Sequence, residues 1–134
     1  MEQRDYFLRQ IDQLGKALAN VLASLLSKGY QGNVLDGMEM IDQTLMDNLN
    51  LDMLALSEKD DKTFIDFLLN DLRISPNNLE VLSETMIVYG NSSDRKIKIY
   101  QKALILLKYI QETSVDYSFD RDTRIKEIEL IIKS

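Results

Sequence analysis

The chain has 134 residues, of which 45% are apolar and 28% charged, with a formal net charge of −6. A chain of this length buries roughly two thirds of the surface its unfolded state exposes, so a single domain over 1–134 is expected, with no need of a metal or disulfide. There is no histidine and no cysteine; that excludes disulfides, thiolate nucleophiles, thiolate-bound metal clusters and the side chain most general-base chemistry uses.

The charge is uneven. Residues 1–93 carry 7 Lys/Arg against 15 Asp/Glu, a net of −8, and residues 94–134 carry 9 against 7, a net of +2. An acidic body repels phosphate backbones, so nucleic acid is disfavoured as a partner. The start, Met1-Glu2-Gln3-Arg4-Asp5, lacks the cationic and then apolar order of a secretory signal. The longest uncharged stretch, 17–27, is about half of what a bilayer span needs. A soluble, cytoplasmic protein is expected.

With one proline and five glycines the chain is poor in turn punctuation, and apolar residues recur at helical spacing in nearly every window. A first helix is expected over 3–28, where Phe7, Ile11, Leu14, Leu18, Val21 and Leu25 step by four and three as a heptad seam. Gly15 lies beside the seam, and Lys28-Gly29 supplies a stop. Asn33 caps a second helix over 34–48, with Leu35, Met38, Ile41, Leu45 and Leu49 inward. A short helix follows near 51–56. Ser57-Glu58-Lys59-Asp60 reads as a capping box for 63–72, whose Phe64, Phe67, Leu68 and Leu72 share a face.

Ser75-Pro76 is the clearest helix start, a serine cap followed by proline in the first turn. The helix it opens carries Leu79, Leu82, Met86 and Tyr89 and ends at Gly90-Asn91. Ser92-Ser93-Asp94 opens the next, over 95–112. That helix has two stripes, Ile97, Tyr100, Leu104, Leu107 and Ile99, Ala103, Leu106, Ile110, so it is expected to be covered on two sides. After a connection over 113–118, Ser118 or Asp120 caps a last helix over 121–133 with Ile125, Ile128 and Ile132 inward.

The residues of types that carry chemistry read better as scaffold. Asp36, Glu39 and Asp42 lie three apart on one helix and could in principle hold Mg²⁺ or Ca²⁺, but acidic helix faces are ordinarily solvated. Asp116, Asp120 and Asp122 lack the spacing and glycine of a calcium loop. Ser24 and Lys28 sit one turn apart with no further catalytic pattern. Gly29-Tyr30-Gln31-Gly32 follows a helix and lacks the lysine-serine ending of a phosphate loop. No metal and no cofactor is expected. Arg95, Lys98 and Lys102 share one helical face, a basic stripe and the one exception to the charge argument, which meets an acidic partner or nucleic acid, or else solvent or the acidic half of the same molecule. As a solvated stripe it would tolerate Lys98→Glu together with Lys102→Glu.

The stretch Arg4-Asp5-Tyr6-Phe7-Leu8-Arg9-Gln10-Ile11-Asp12-Gln13-Leu14-Gly15-Lys16-Ala17-Leu18-Ala19 resembles the opening of an uncharacterised bacterial family of small all-helical proteins, a domain of unknown function. In that family the first helix reads Arg-Asp-Tyr, then Arg-Gln-Ile, then Gln-Leu-Gly. The resemblance runs through most of the chain, strongest in the first helix. It implies an all-helical fold and brings no activity, and it singles out Arg4, Asp5, Arg9, Gln10 and Gln13 as polar positions. Ile99-Tyr100-Gln101-Lys102-Ala103-Leu104 is similar to the second helix of a tetratricopeptide repeat, with an aromatic three residues before alanine. The likeness covers about 35 residues, and Lys96 stands where the repeat has a small residue. It implies a protein or peptide partner.

The expected architecture is all-α, with five to six helices, mostly antiparallel, packed as a bundle or as tetratricopeptide-like hairpins. The expected function is a non-enzymatic protein–protein interaction module, with Arg95, Lys98, Lys102, Arg4 and Arg9 as candidate partner-binding residues. Its rivals are a homodimer built on the first helix and a carboxylate enzyme using a divalent metal.

Overall fold

Side chains that accept backbone amides set where most of the helices begin. The computed structural model describes residues 34–49 and 52–134, with the isolated positions 16, 17 and 20. Lys16, Ala17 and Asn20 are helical; the rest of the helix expected over 3–28, with its seam and with Arg4 and Arg9, lies outside the described residues. Helix α1 runs Val34–Leu49, α2 Met53–Glu58, α3 Asp61–Asp66, α4 Pro76–Gly90, α5 Lys96–Thr113 and α6 Phe119–Lys133. Among the described residues there is no strand, and the fold is all-α. No helix among them is long and apolar enough to cross a membrane.

Ser75 caps α4, its hydroxyl accepting from the Asn78 amide at 3.4 Å, and Pro76 takes the first turn. Asp52 caps α2, accepting from Leu54 at 2.7 Å and from Ala55 at 3.4 Å. The expected capping box at Ser57 does not form. Ser57 is buried in the last turn of α2 and donates back to the Leu54 carbonyl at 2.8 Å. Asp60 caps instead, accepting from the Thr63 amide at 2.7 Å, so α3 starts two residues earlier than expected. The Ser92-Ser93-Asp94 run is a turn, and Arg95, the residue before α5, makes no side-chain cap. Ser118, not Asp120, caps α6, accepting from the Arg121 amide at 3.2 Å.

Helix α3 continues into a π-helical turn, Phe67–Asp71. The Leu72 amide donates to the Phe67 carbonyl at 2.9 Å, and the Ile74 amide reaches the Leu68 carbonyl at 3.0 Å. Between them Arg73 adopts a left-handed φ of 53°, uncommon for a residue with a Cβ. This wide turn reverses the chain and drops Ile74 into the core.

Helix α5 is the centre. Helices α2, α3, α4 and α6 all pack on it, and α1 packs on α4. Ile99, Tyr100, Ala103, Leu106, Leu107 and Ile110 of α5 are buried, as both expected stripes require, but Ile97 is exposed. The α4–α5 interface is the largest. It is close because Gly90 ends α4: a Cβ there would stand 2.9 Å from two ring atoms of Tyr100 and 3.3 Å from Ile99. Tyr100 then turns its hydroxyl to the Asn91 side chain. Each fully buried Leu, Ile or Phe of this core stabilises the fold by about 1.5–3 kcal/mol.

Polar pairs give the helix directions. Arg121 meets Glu80 and Arg124 meets Glu84, so α6 and α4 run the same way. Arg121 also meets Gln111 while Lys108 meets Glu129, so α6 is antiparallel to α5. Both arginines bind their glutamates with two nitrogens, at 3.3 and 3.3 Å for Arg121 and at 3.2 and 2.7 Å for Arg124. Helix α6 places Ile125 and Ile128 in the core, with Ile132 half-buried and Leu130 facing out. Its seating rests on arginine forks as much as on burial.

Candidate interaction surface

Of the basic stripe expected on α5 only Lys102 is buried; Arg95 and Lys98 stay exposed while pairing with a carboxylate of the same molecule. Arg95 and Lys98 both hold the carboxylate of Glu58 on α2, Lys98 Nζ at 3.2 Å from Oε2. Lys102 is 7% exposed; its Nζ lies 2.8 Å from Asp61 Oδ1 on α3 and 6.0 Å from the centre of the Phe64 ring. The three cations thus clamp α2 and α3 onto the central helix. Of the alternatives open for this stripe, the structure shows the acidic half of the same molecule. Exposed pairs of the Glu58 kind contribute about 1 kcal/mol or less. Lys102 matters more, because its hydrocarbon stem is packed in the core.

Of the acidic residues read on α1, Asp42 finds structural work, and the side chain of Asp36 lies outside the described residues. The Tyr89 hydroxyl donates to Asp42 Oδ2 at 3.1 Å, tying α1 to α4. Burial raises the Asp42 carboxyl above its usual range, and the tyrosine hydrogen bond partly offsets this. Burial together with the Asp42 charge pushes the Tyr89 hydroxyl up to about 12. The phenol stays protonated near neutrality, so its hydrogen bond to Asp42 is kept and the pair acts as a strut between the two helices. Glu39, Gln43 and Met46 line a shallow depression beside it. Among the described residues no three acidic side chains converge as a cation site. The methionines divide: Met53 and Met86 are buried, while Met40 and Met46 face out.

The surface that spacing did not pick out is the connection from α5 to α6. Val115 is fully exposed at 101%, Tyr117 70% and Phe119 72%. Leu130, three turns along α6 on the side of Phe119, is 71% exposed. Both ends of this corner are fastened. Ser114 Oγ donates to the Asp116 carbonyl at 3.0 Å, Gln111 Nε2 to the Ser118 carbonyl at 3.3 Å, and Arg121 Nη1 to Gln111 Oε1 at 2.7 Å. A signal was present in the sequence: apolar side chains at every second position within a polar connection.

The chain matches no protein-family model, no curated protein and no solved structure at a significant level.

The geometry separates Lys98 from Lys102, so the double charge reversal that a solvated stripe would tolerate is not expected to be tolerated here. In thermal denaturation Lys98→Glu should change stability by about 0.5 kcal/mol or less. Lys102→Glu should lose about 2 kcal/mol or more, since it buries a carboxylate beside Asp61, while Lys102→Met, which keeps the stem, should retain most of the stability. Equal melting temperatures for the two glutamate variants would contradict the inward placement of Lys102.

Tyr89 sets an alkaline limit. Its raised value means that its contribution is complete below about pH 10 and fades as pH climbs toward about 12. Tyr89→Phe should cost about 1 kcal/mol at neutral pH and flatten the loss of stability across that alkaline window. A variant with the same alkaline slope as the parent would show that the Asp42 contact is not formed.

Proposed function

We propose that this protein is a non-enzymatic helical module that binds a protein partner through the corner joining α5 and α6. The observation that carries the reading is the display of Val115, Tyr117 and Phe119 on a connection fastened at both ends by hydrogen bonds. A linker that only joined two helices would gain nothing from three large apolar side chains held in water. Large apolar side chains exposed this close together along the chain ordinarily mark a place where another molecule sits. Fixing the loop beforehand lowers the entropy lost on binding, and tyrosine and phenylalanine are residues that dominate protein interfaces.

The basic stripe supports a partner less well. Arg95, Lys98 and Lys102 already have carboxylates within the molecule, so a partner would have to displace Glu58 or Asp61 to reach them. The similarity of 99–104 to a tetratricopeptide helix points the same way as the apolar corner, toward peptide or protein recognition. In this chain, however, Tyr100 and Ala103 are buried in the α4–α5 contact and unavailable to a ligand.

Photo-crosslinking in living cells checks this reading. The full chain carrying a photo-reactive residue at Tyr117 should capture a discrete protein, whereas one carrying it at Lys98 should not. Phe119→Ser should abolish the Tyr117 product with little change in melting temperature, because that side chain is exposed. Capture from Lys98 alone would place the interface on the basic stripe and contradict the proposal.

A further inference from the structure

We propose that the segment received at this corner is cationic as well as apolar: a peptide stretch of a partner protein in which lysine or arginine alternates with large apolar residues. This rests on the reading above and adds its electrostatic half. Residues 112–120 contain Glu112, Asp116 and Asp120 and no lysine or arginine, a local charge of −3. All three carboxylates are exposed, and they interleave with Val115, Tyr117 and Phe119.

Four cations of the adjoining helices are already engaged by carboxylates of the same molecule. Arg121 is held by Glu80 and Gln111, Arg124 by Glu84, Lys108 by Glu129, and Lys126 by Asp122 at 3.0 Å. The corner therefore presents exposed aromatic side chains interleaved along the chain with three exposed carboxylates. Such a surface suits an ammonium or guanidinium group, which gains both a carboxylate and a ring face.

The same charge disfavours other occupants. An anionic lipid surface or a nucleic-acid backbone meets three carboxylates at the point of contact. A second copy docking by the same face, as a two-fold contact demands, would set these carboxylates against their own equivalents.

The test is fluorescence anisotropy on the full chain with three labelled peptides. One alternates lysine with leucine, one alternates glutamate with leucine, and one alternates lysine with serine. The lysine–leucine peptide should bind the tightest, and its affinity should fall about tenfold or more between low and high salt as the charges are screened. Replacing Glu112 by Gln, Asp116 by Asn and Asp120 by Asn together should weaken it about tenfold, and Phe119→Ser with Tyr117→Ser should abolish it. Asp47→Lys, on exposed α1, should leave it unchanged.

Circular dichroism verifies that each variant is folded. Equal binding of the lysine–leucine and glutamate–leucine peptides, with no effect of the amide variants, would overturn the charge claim and leave the apolar docking surface standing. Equal binding of the lysine–leucine and lysine–serine peptides would overturn the docking surface itself. Weakening by Asp47→Lys as large as by the amide variants would show attraction to the molecule's overall charge and overturn the proposal.

Discussion

The burial of α5 from several sides is the constraint on which the rest of the structure depends. An amphipathic helix at the edge of a domain offers one stripe to the core; α5 offers two, and α2, α3, α4 and α6 all use them. The closest of these contacts is possible because α4 ends in glycine against Tyr100. With α4 and α5 fixed as a hairpin, the positions of α2, α3 and α6 follow from where apolar surface and matching charge remain on α5. Ser83 and Thr85 sit fully buried in α4 without penalty, since each donates back to a carbonyl of its own helix, Glu80 at 2.7 Å and Val81 at 2.8 Å.

Charge has a different part in this molecule from the one its distribution along the chain suggests. The cationic C-terminal part does not form an open basic surface. Most of its lysines and arginines pair with carboxylates within the molecule, on α2, α3, α4 and α6. The consequence for function is that the uncompensated features are the apolar ones and the acidic ones. They coincide at the corner between α5 and α6, where the chain leaves one helix and enters the next under hydrogen bonds at each end.

Much of this was legible in the residue pattern, and the rest was not for physical reasons. Leu79, Leu82, Met86 and Tyr89 are buried as their spacing demands, because helical periodicity is a local property and the Ser75-Pro76 start fixes its phase. Ile99, Ala103, Leu106 and Ile110 are buried for the same reason. Lys102 was not legible as a core residue: only the packing of α3 decides whether that face of α5 meets water or Asp61. The choice of Asp60 over Ser57 as a cap was equally beyond local spacing, since Ser57 is claimed by the preceding short helix. Val115, Tyr117 and Phe119 carry no helical spacing to give them a face, and their outward display depends on how Gln111 and Arg121 tie down the ends of the connection.

If α5 is the centre, its backbone should be the last to open. Native-state hydrogen exchange resolved by residue measures this directly. The amides of Ala103, Leu106 and Leu107 should exchange only through global unfolding, while those of α6, seated by burial and arginine forks together, should exchange sooner. Amides of α5 that exchange as fast as those of α6, or well ahead of those of α4, would contradict a fold organised around α5.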